Sequence, residues 1–348
     1  MTILQRRRMI NKIKNKLLLE LSYQNGKKIL KPEFLSLIVT FKCNFRCPSC
    51  FIWERPSEPE MDIKDWQKIA DQIQETLPKT SFIEINGGEA LIKKDLTIGL
   101  IKSLKSRGFS KVALNSNGST INNQTVDELI KSGLDIIKIS LYSLNKEIHD
   151  RMRGFSGAYE VARGAVEMAS KNGLKTEVAI LLTAENVKSL PELIGWINQL
   201  NNISAIIQPL DEKIESPESE NQDGNYLPQE SWPQPEDVKN FFDWLKGNSQ
   251  KIKNSQRTLE LIKKYYLNPK KITRFRCFAG QRNLVIYPNG NVTFCFKRGP
   301  IGNVRQEALK DILKRATAER KNIKKCPKYC RILGCNFSRG LKEFFLDI

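Results

Sequence analysis

Three cysteines, Cys43, Cys47 and Cys50, stand in the string Cys43-Asn-Phe-Arg-Cys47-Pro-Ser-Cys50, just past the apolar stretch Phe34-Leu-Ser-Leu-Ile-Val-Thr40. Three thiolates this close on one loop hold a [4Fe–4S] cluster by three of its four irons. The fourth iron, left without a protein ligand, is open to a substrate or cofactor, which separates a reaction centre from a structural plug. Other uses of a thiol triplet fit less well. A zinc site usually pairs two C-x2-C units or mixes Cys with His, and the only histidine, His149, lies about a hundred residues away. A disulfide framework belongs to small secreted chains, and no signal-peptide pattern opens the sequence.

Further strings follow at what read as strand ends. Asn86-Gly87-Gly88-Glu89-Ala90 combines two glycines, which let a backbone approach a ligand closely, with a carboxylate able to accept from an ammonium group. Asn115-Ser-Asn117-Gly118 reads on its own as an Asn-Gly turn. Ser140-Leu-Tyr142-Ser143 is followed by His149-Asp150-Arg151-Met-Arg153-Gly154. Together with the cysteine spacing, these strings resemble the radical SAM superfamily. Its cysteine triplet lies on the loop after the first barrel strand and its cluster binds S-adenosylmethionine through the methionyl amine and carboxylate. The resemblance implies that Gly87, Gly88 and Glu89 hold the amino group of S-adenosylmethionine. It also implies that Asn115 belongs to the turn after the third strand, and that Ser140 and Arg153 hold the carboxylate and ribose. Arg153 offers a planar fork for a carboxylate. The chain departs from the family where Ala90 replaces proline, where Tyr142-Ser143 replaces Asp-Gly, and where one residue is inserted before His149. It departs again where Ser49 replaces the aromatic before the third cysteine, with Phe51 following. The ordinary reading of His149 is a structural hydrogen-bonder.

The five remaining cysteines all follow residue 276: Cys277, Cys295, Cys326, Cys330 and Cys335. Leu284–Phe296 reads as a hairpin turning at Asn289-Gly290, which brings Cys277 and Cys295 together. A helix over Ala308–Ala318 returns the chain to the last three cysteines. This arrangement resembles the auxiliary-cluster extension called SPASM, or Twitch in its shorter form. Five cysteines suit one auxiliary [4Fe–4S] cluster with four ligands. Cys277, Cys295, Cys326 and Cys330 are the favoured set, with Cys335 able to replace either of the last two. A zinc knuckle is the competing reading.

The elements that must position these residues alternate. Strand-like runs occur at Leu35–Thr40, Phe82–Asn86, Lys111–Asn115, Ile136–Leu141, Thr176–Leu182 and Ile203–Gln208. Helical patterns lie between them at Ile63–Glu75, Leu96–Arg107, Asn123–Ser132, Tyr159–Lys171 and Val187–Gln199, several closing at glycines. Six β/α units in series predict a parallel sheet with covering helices. An eight-fold barrel needs two more units, so the expected fold class is α/β: a partial (β/α)6 TIM-type barrel, the core fold of the family, with a small C-terminal α+β auxiliary-cluster domain. The expected organisation is a basic N-terminal helical segment (1–31), the barrel (32–210), a polar loop or lid with a basic helical linker (211–276), and the auxiliary-cluster domain (277–348). The loop itself spans Asp211–Asp237, and apolar-periodic segments follow at Val238–Leu245 and Leu259–Leu267.

Composition bounds the partners. The chain has 348 residues and a formal net charge of +19, unevenly placed. Residues 1–31 hold nine basic side chains against Glu20, and residues 246–276 hold ten against Glu260. Residues 32–245 hold 23 basic against 31 acidic side chains, so the barrel is acidic and the cationic surplus is in the flanks. The N-terminal segment, with Ile10, Ile13, Leu17, Leu18 and Leu19, reads either as an amphipathic helix on an anionic membrane surface or anionic partner, or as a helix packed on the barrel; the second is favoured. No apolar run reaches the 18 residues of a membrane span. Eight cysteines without a secretion signal fit a reducing, cytoplasmic setting, with peripheral attachment at a membrane as a variant.

The resemblance implies an enzyme that takes one electron from a donor such as flavodoxin or ferredoxin, cleaves S-adenosylmethionine to a 5′-deoxyadenosyl radical, and removes a hydrogen atom from its substrate. An auxiliary cluster ligated on every iron accepts or relays the substrate electron, so the expected outcome is oxidation: dehydrogenation or a crosslink in a peptide or protein. Roughly 34 residues precede the first strand, too few for a fused winged-helix recognition domain, so a separate recognition partner or the basic flanks would engage a peptide. A carbohydrate or other small biosynthetic metabolite is the alternative substrate. A basic nucleic-acid-binding protein with structural metal is the alternative of another class; against it, the basic residues are not interleaved with aromatics and no binding motif is present.

Overall fold

The structure, a computed structural model, describes residues 3–26, 31–50, 52–210, 231–328 and 330. Six parallel strands, β1 (Phe34–Ile38), β2 (Phe82–Asn86), β3 (Lys111–Ser116), β4 (Ile136–Ser140), β5 (Thr176–Leu182) and β6 (Ile203–Pro209), run in sequential order. Helices α2 (Ile63–Thr76), α3 (Lys94–Ser106), α4 (Asn123–Lys131), α6 (Ala158–Lys171) and α7 (Leu190–Gln199) connect them. These bounds lie within a few residues of those read from periodicity. The chain is a mixed α/β protein built on a partial TIM-type barrel. Gly108, Gly133 and Gly173 end α3, α4 and α6 at positive φ, as expected of left-handed caps.

Leu35, Leu37, Ile83, Ile85, Val112, Leu114, Ile137 and Ile139, at alternate strand positions, are buried in one core cluster with helix residues such as Trp66, Ile73 and Leu104. The other face carries a polar network. Asn115 donates to Asn86 Oδ1, Asn86 donates to Ser36 Oγ at 2.7 Å, and Lys138 Nζ lies 2.8 Å from Glu84 and 3.1 Å from Glu177. Buried charge is tolerated there because each carboxylate meets the ammonium group.

The sheet does not end at β1. Strand β7 (Asn283–Ile286) pairs with β1 in parallel and turns back at Asn289-Gly290 into β8 (Asn291–Thr293), which pairs with β9 (Gly302–Asn303). One nine-stranded sheet results, in the order β6-β5-β4-β3-β2-β1-β7-β8-β9. Gly290, at φ +89°, supplies the left-handed residue of the turn that the sequence placed there. The opposite edge, β6, is covered by Lys251–Lys253, whose backbone exchanges hydrogen bonds with Ala205 at 2.9 and 2.8 Å.

Other elements differ from their expected form or were not expected. Helix α1 (Ile3–Asn25) meets the C-terminal region near its end. Glu20 pairs with Arg276 through two 2.7 Å bonds, Ser22 donates to Gln281, Tyr23 packs on Phe278, and Lys324 donates to the Gln24 carbonyl. Ile13, Leu17 and Leu21, on the other side of α1, are exposed. A helix absent from the periodicity reading, α5 (Lys146–Arg153), lies between β4 and α6; it is short, and Ile148 and Met152 are its only apolar side chains. Helix α8 (Pro235–Leu245) begins inside the stretch read as loop, and residues 211–230 of that stretch lie outside the described residues. Helix α9 (Gln256–Leu267) follows. The single helix expected over Ala308–Ala318 is two, α10 (Leu309–Arg315) and α11 (Thr317–Ile323). The break frees the Leu313 carbonyl from its helical partner, and buried Arg320 caps it with Nη2 at 2.8 Å while Nε donates to Gly280 at 2.9 Å. Among the described residues no helix is long and apolar enough to cross a membrane.

The Glu20–Arg276 pair is only partly exposed and bidentate, so Glu20→Gln is expected to destabilise the fold by about 1–2 kcal/mol. A lowered thermal midpoint, with no further loss when Arg276→Gln is added, is the expected result; additive losses contradict the pairing.

Candidate functional site

The loop after β1 carries Cys43, Cys47 and Cys50, and three other segments fix it in place. Gly88 N–H donates to the Thr40 carbonyl at 2.8 Å and Glu89 N–H donates to the Lys42 carbonyl at 2.9 Å. A Cβ at Gly88 would overlap the Lys42 carbonyl oxygen, so this approach of two backbones requires glycine. The loop after β3 adds Asn117 Nδ2, donating to Asn44 Oδ1 at 2.9 Å, and Ser119, whose hydroxyl accepts from Asn44 Nδ2 at 2.8 Å. The C-terminus of α5 supplies the third contact. Gly154 ends that helix at φ +57°, with its Cα against the Arg46 carbonyl, and Phe155 stacks on Phe45 with ring centroids 4.5 Å apart.

Within this clasp the three thiols share one partly buried pocket. Cys47 is buried with Phe45 and Ala158, and Cys43 and Cys50 pack against that cluster. Burial pushes the Cys43 and Cys50 thiols up; the neighbouring Cys47 adds to this and the Arg153 charge opposes it. Arg153 is buried, its guanidinium 5.5 Å from the Phe45 ring centroid and 5.0 Å from that of Tyr142, with Nη1 donating to Tyr142 Oη at 2.7 Å. Burial alone would lower its pKa, but Tyr142 and the three thiols raise it further, so it stays charged. Its Nε has no hydrogen-bond partner among the described residues. Three thiols around one fixed cation, with an unpartnered buried donor, fit a group that takes thiolate ligands and carries a carboxylate. Among the described residues no three His, Cys, Asp or Glu side chains close around the position of a single metal ion.

The other residues expected here behave differently from one another. Glu89 is 1 % exposed, and its oxygens accept from Leu91 N at 3.1 Å, Ser116 Oγ at 3.0 Å and Asn117 N at 2.6 Å. Burial raises its pKa and those donors oppose the rise. With three donors on about four lone-pair sites of the carboxylate, the side chain braces the β2 and β3 loops against each other. Gly87 and Gly88 stand at the same strand end. Asn115 donates to Asn86 Oδ1, and Asn117, two residues on, donates to Asn44 Oδ1 on the cysteine loop. Ser140, at the end of β4, lies beside the Tyr142 phenol. Asn44 and Ser119 carry no signal in the sequence, and Asn117 stands there only as part of the Asn117-Gly118 turn after a strand. His149 is the structural hydrogen-bonder expected: Nδ1 accepts from Tyr142 N–H at 3.1 Å, and burial, aided by Arg153, pushes its pKa down to about 3. Phe51 lies outside the described residues.

The second set forms around the β7–β8 hairpin. Cys277 is buried, and Cys295, Cys326 and Cys330 are half-buried. Burial pushes the Cys295 thiol up to about 12, with Cys277 and Cys326 both contributing, so these three share one locality. Arg298, paired with Glu319 at 2.5 and 2.9 Å, stands beside Cys295 and Cys326. Cys335 lies outside the described residues. The two sets are linked through β1 and β7: Phe41, next to the first loop, contacts Tyr287, the neighbour of Cys295, with ring centroids 6.0 Å apart.

Comparison with known proteins agrees with this layout. Residues 37–197 match the family model described as the radical SAM superfamily, and residues 277–336 match that of an iron–sulfur cluster-binding domain, SPASM. A probable GTP 3′,8-cyclase of Methanopyrus kandleri is 31% identical over 49% of this chain and 55% of its own length. The subtilosin biosynthesis protein AlbA of Bacillus subtilis is 24% identical over 55% of this chain and 44% of its own. The chain thus spans about half the length of the curated relatives it matches. The structure of Streptococcus suis SuiB bound to precursor peptide SuiA aligns with a TM-score of 0.64 at 17% identity, covering 90% of this chain and 70% of that one.

Two outcomes follow for the clasp. Gly88→Ala and Gly154→Ala should each displace the cysteine loop and abolish most iron uptake on anaerobic reconstitution, whereas Gly164→Ala, in open space on α6, should leave it unchanged. The depressed pKa of His149 means the unfolded chain binds the extra proton first as pH falls. Stability is then fully present above the ordinary histidine value of about 6.5 and declines as pH drops from there toward about 3. His149→Gln should flatten that part of a stability–pH curve; an unchanged slope contradicts the assignment.

Proposed function

This chain belongs to the radical SAM superfamily and carries a SPASM iron–sulfur domain, and from that premise we propose that it oxidatively modifies a peptide or protein by dehydrogenation or crosslinking. The observation that carries the reading is the joining of two thiol sets by one sheet: Cys43, Cys47 and Cys50 after β1, and Cys277, Cys295 and Cys326 around the β7–β8 hairpin beside it. The family's cofactors are a [4Fe–4S] cluster, S-adenosylmethionine and auxiliary iron–sulfur clusters. When bound, they supply one-electron cleavage of S-adenosylmethionine, a radical able to take hydrogen from an unactivated C–H bond, and an acceptor for the substrate electron.

The chain's own part is positional. Cys43, Cys47 and Cys50 would hold the first cluster as its thiolate ligands. Arg153 offers its charged fork to the carboxylate of S-adenosylmethionine, and the backbone at Gly87 and Gly88 together with Ser140 borders the same pocket. Cys277, Cys295, Cys326 and Cys330, with Cys335 as the alternative fourth, hold the auxiliary cluster. An external reductant such as flavodoxin or ferredoxin supplies the electron. A peptide substrate is supported by similarity to AlbA, a bacteriocin biosynthesis protein, and to a PqqA peptide cyclase, and by the SuiB likeness over nine-tenths of this chain. The 31% identity to a GTP 3′,8-cyclase supports the second reading, oxidation or rearrangement of a small metabolite.

Anaerobic reconstitution should give at least eight irons per chain, about four for each cluster, and 5′-deoxyadenosine should form from S-adenosylmethionine and dithionite. Replacing Cys43, Cys47 and Cys50 by alanine should abolish that product; its survival removes the assignment. A precursor peptide encoded beside the gene should lose two hydrogens by mass spectrometry. No change in such a peptide, with turnover stimulated by a nucleotide, favours the second reading.

A further inference from the structure

At the end of β4 this chain has Tyr142-Ser143 where the family pattern has Asp-Gly, and the structure gives that departure a use. Tyr142 is held from both sides of its backbone. Its N–H donates to Nδ1 of His149 at 3.1 Å, and its carbonyl accepts from Nδ2 of Asn186 at 2.8 Å. Both holders are wholly buried. Asn186 is itself fixed, donating to the Leu181 carbonyl at 2.8 Å and accepting from Thr183 N–H at 2.8 Å. Ser143 continues the attachment, its hydroxyl 3.0 Å from that of Ser189 and accepting from Asn145 N–H at 3.0 Å.

From this anchored backbone the phenol reaches Arg153. The rings of Phe45 and Tyr142 lie against the guanidinium and restrict its plane. The 2.7 Å bond from Nη1 to Tyr142 Oη then restricts rotation within that plane. A guanidinium that binds a carboxylate by two parallel N–H bonds must have both settings fixed, because the fork matches only when coplanar and correctly turned. Arg153 has five N–H donors, of which Tyr142 takes one and Nε is unpartnered among the described residues, beside the three thiols.

We propose that Tyr142, held by His149 and Asn186, is a positioning residue that sets the Arg153 fork for the carboxylate of S-adenosylmethionine. This rests on the reading of the Cys43–Cys47–Cys50 pocket as the S-adenosylmethionine site. Tyr142 acts through Arg153 and touches no reacting atom. Tyr142→Phe keeps the ring and removes the hydroxyl, with its bond to Arg153 and its contact with Ser140.

The test uses the full chain, anaerobically reconstituted, as wild type, Tyr142→Phe, Arg153→Lys and the double variant. Iron content, affinity for S-adenosylmethionine by equilibrium dialysis, and the change that S-adenosylmethionine makes in the electron paramagnetic resonance spectrum of the reduced cluster are measured. Tyr142→Phe should keep its iron, bind S-adenosylmethionine roughly tenfold more weakly, and give a smaller spectral change. Arg153→Lys should weaken binding at least as much, and adding Tyr142→Phe to it should cost nothing more, since the two act as one unit. Wild-type affinity in Tyr142→Phe, or losses that add in the double variant, overturns the inference. So does loss of iron in Tyr142→Phe, which would make Tyr142 a support of the cysteine loop. Iron-loaded wild type that binds no S-adenosylmethionine overturns the reading of the pocket, and the inference with it.

Discussion

Everything at the mouth of the barrel depends on two backbones approaching closer than any side chain permits. The cysteine loop lies against the loop after β2 at Gly88 and against the end of α5 at Gly154, and at both points a Cβ would overlap a carbonyl oxygen of the cysteine loop. Hydrogen bonds from Gly88 and Glu89 to Thr40 and Lys42 then fix that loop without using a side chain of its own. The thiols remain available, and their pocket is closed by Phe45, Ala158 and Arg153. Glycine here serves the contact between loops, and any ligand meets a surface already set.

The second constraint is the pairing of β1 with β7. A strand more than two hundred residues downstream completes the edge of the barrel sheet, so the hairpin that leads to Cys295 starts beside the strand that leads to Cys43. Ile38, Phe41, Val285 and Tyr287 form a small apolar cluster between the two thiol sets. Apolar packing there excludes water from the region that joins them. Helix α1 and Arg320 brace the same region from outside, α1 through Glu20 and Arg276, Arg320 through the Gly280 and Leu313 carbonyls. The end of α1, from Glu20 to Gly26, is therefore tied to the C-terminal architecture.

Buried polar groups are unusually concentrated around Arg153, and each has a mechanical role. His149 remains neutral because it is buried beside a permanent cation, which leaves Nδ1 free to accept from a backbone N–H. Glu89 remains in place because three donors surround it. The concave face repeats the pattern in the Glu84–Lys138–Glu177 group and the Asn86–Asn115 bond. A barrel interior lined this way is polar by construction, while its hydrophobic stabilisation comes from the opposite face of the same strands.

The sequence by itself determined the β/α order, the strand and helix bounds to within a few residues, the hairpin turn at Gly290 and the two cysteine constellations. Those features are written in local signals: period-2 and period-3.6 patterning, glycine caps and short spacings. Helix α5 escaped because its eight residues hold only two apolar side chains, Ile148 and Met152, and the split of α10 from α11 because Arg320, one turn into α11, folds back to cap the Leu313 carbonyl at the break. What a side chain meets across loops was decided only by tertiary structure. Glu89 is held by donors from the β2 and β3 loops, Asn115 donates to Asn86, and Asn117 donates to Asn44 on the cysteine loop. Tyr142 looked like a loss from the family pattern and is the residue that contacts Arg153. Spacing along a chain fixes which residues share a loop or a face; only the packing of separate loops fixes the distances between their atoms, and recognition depends on those distances.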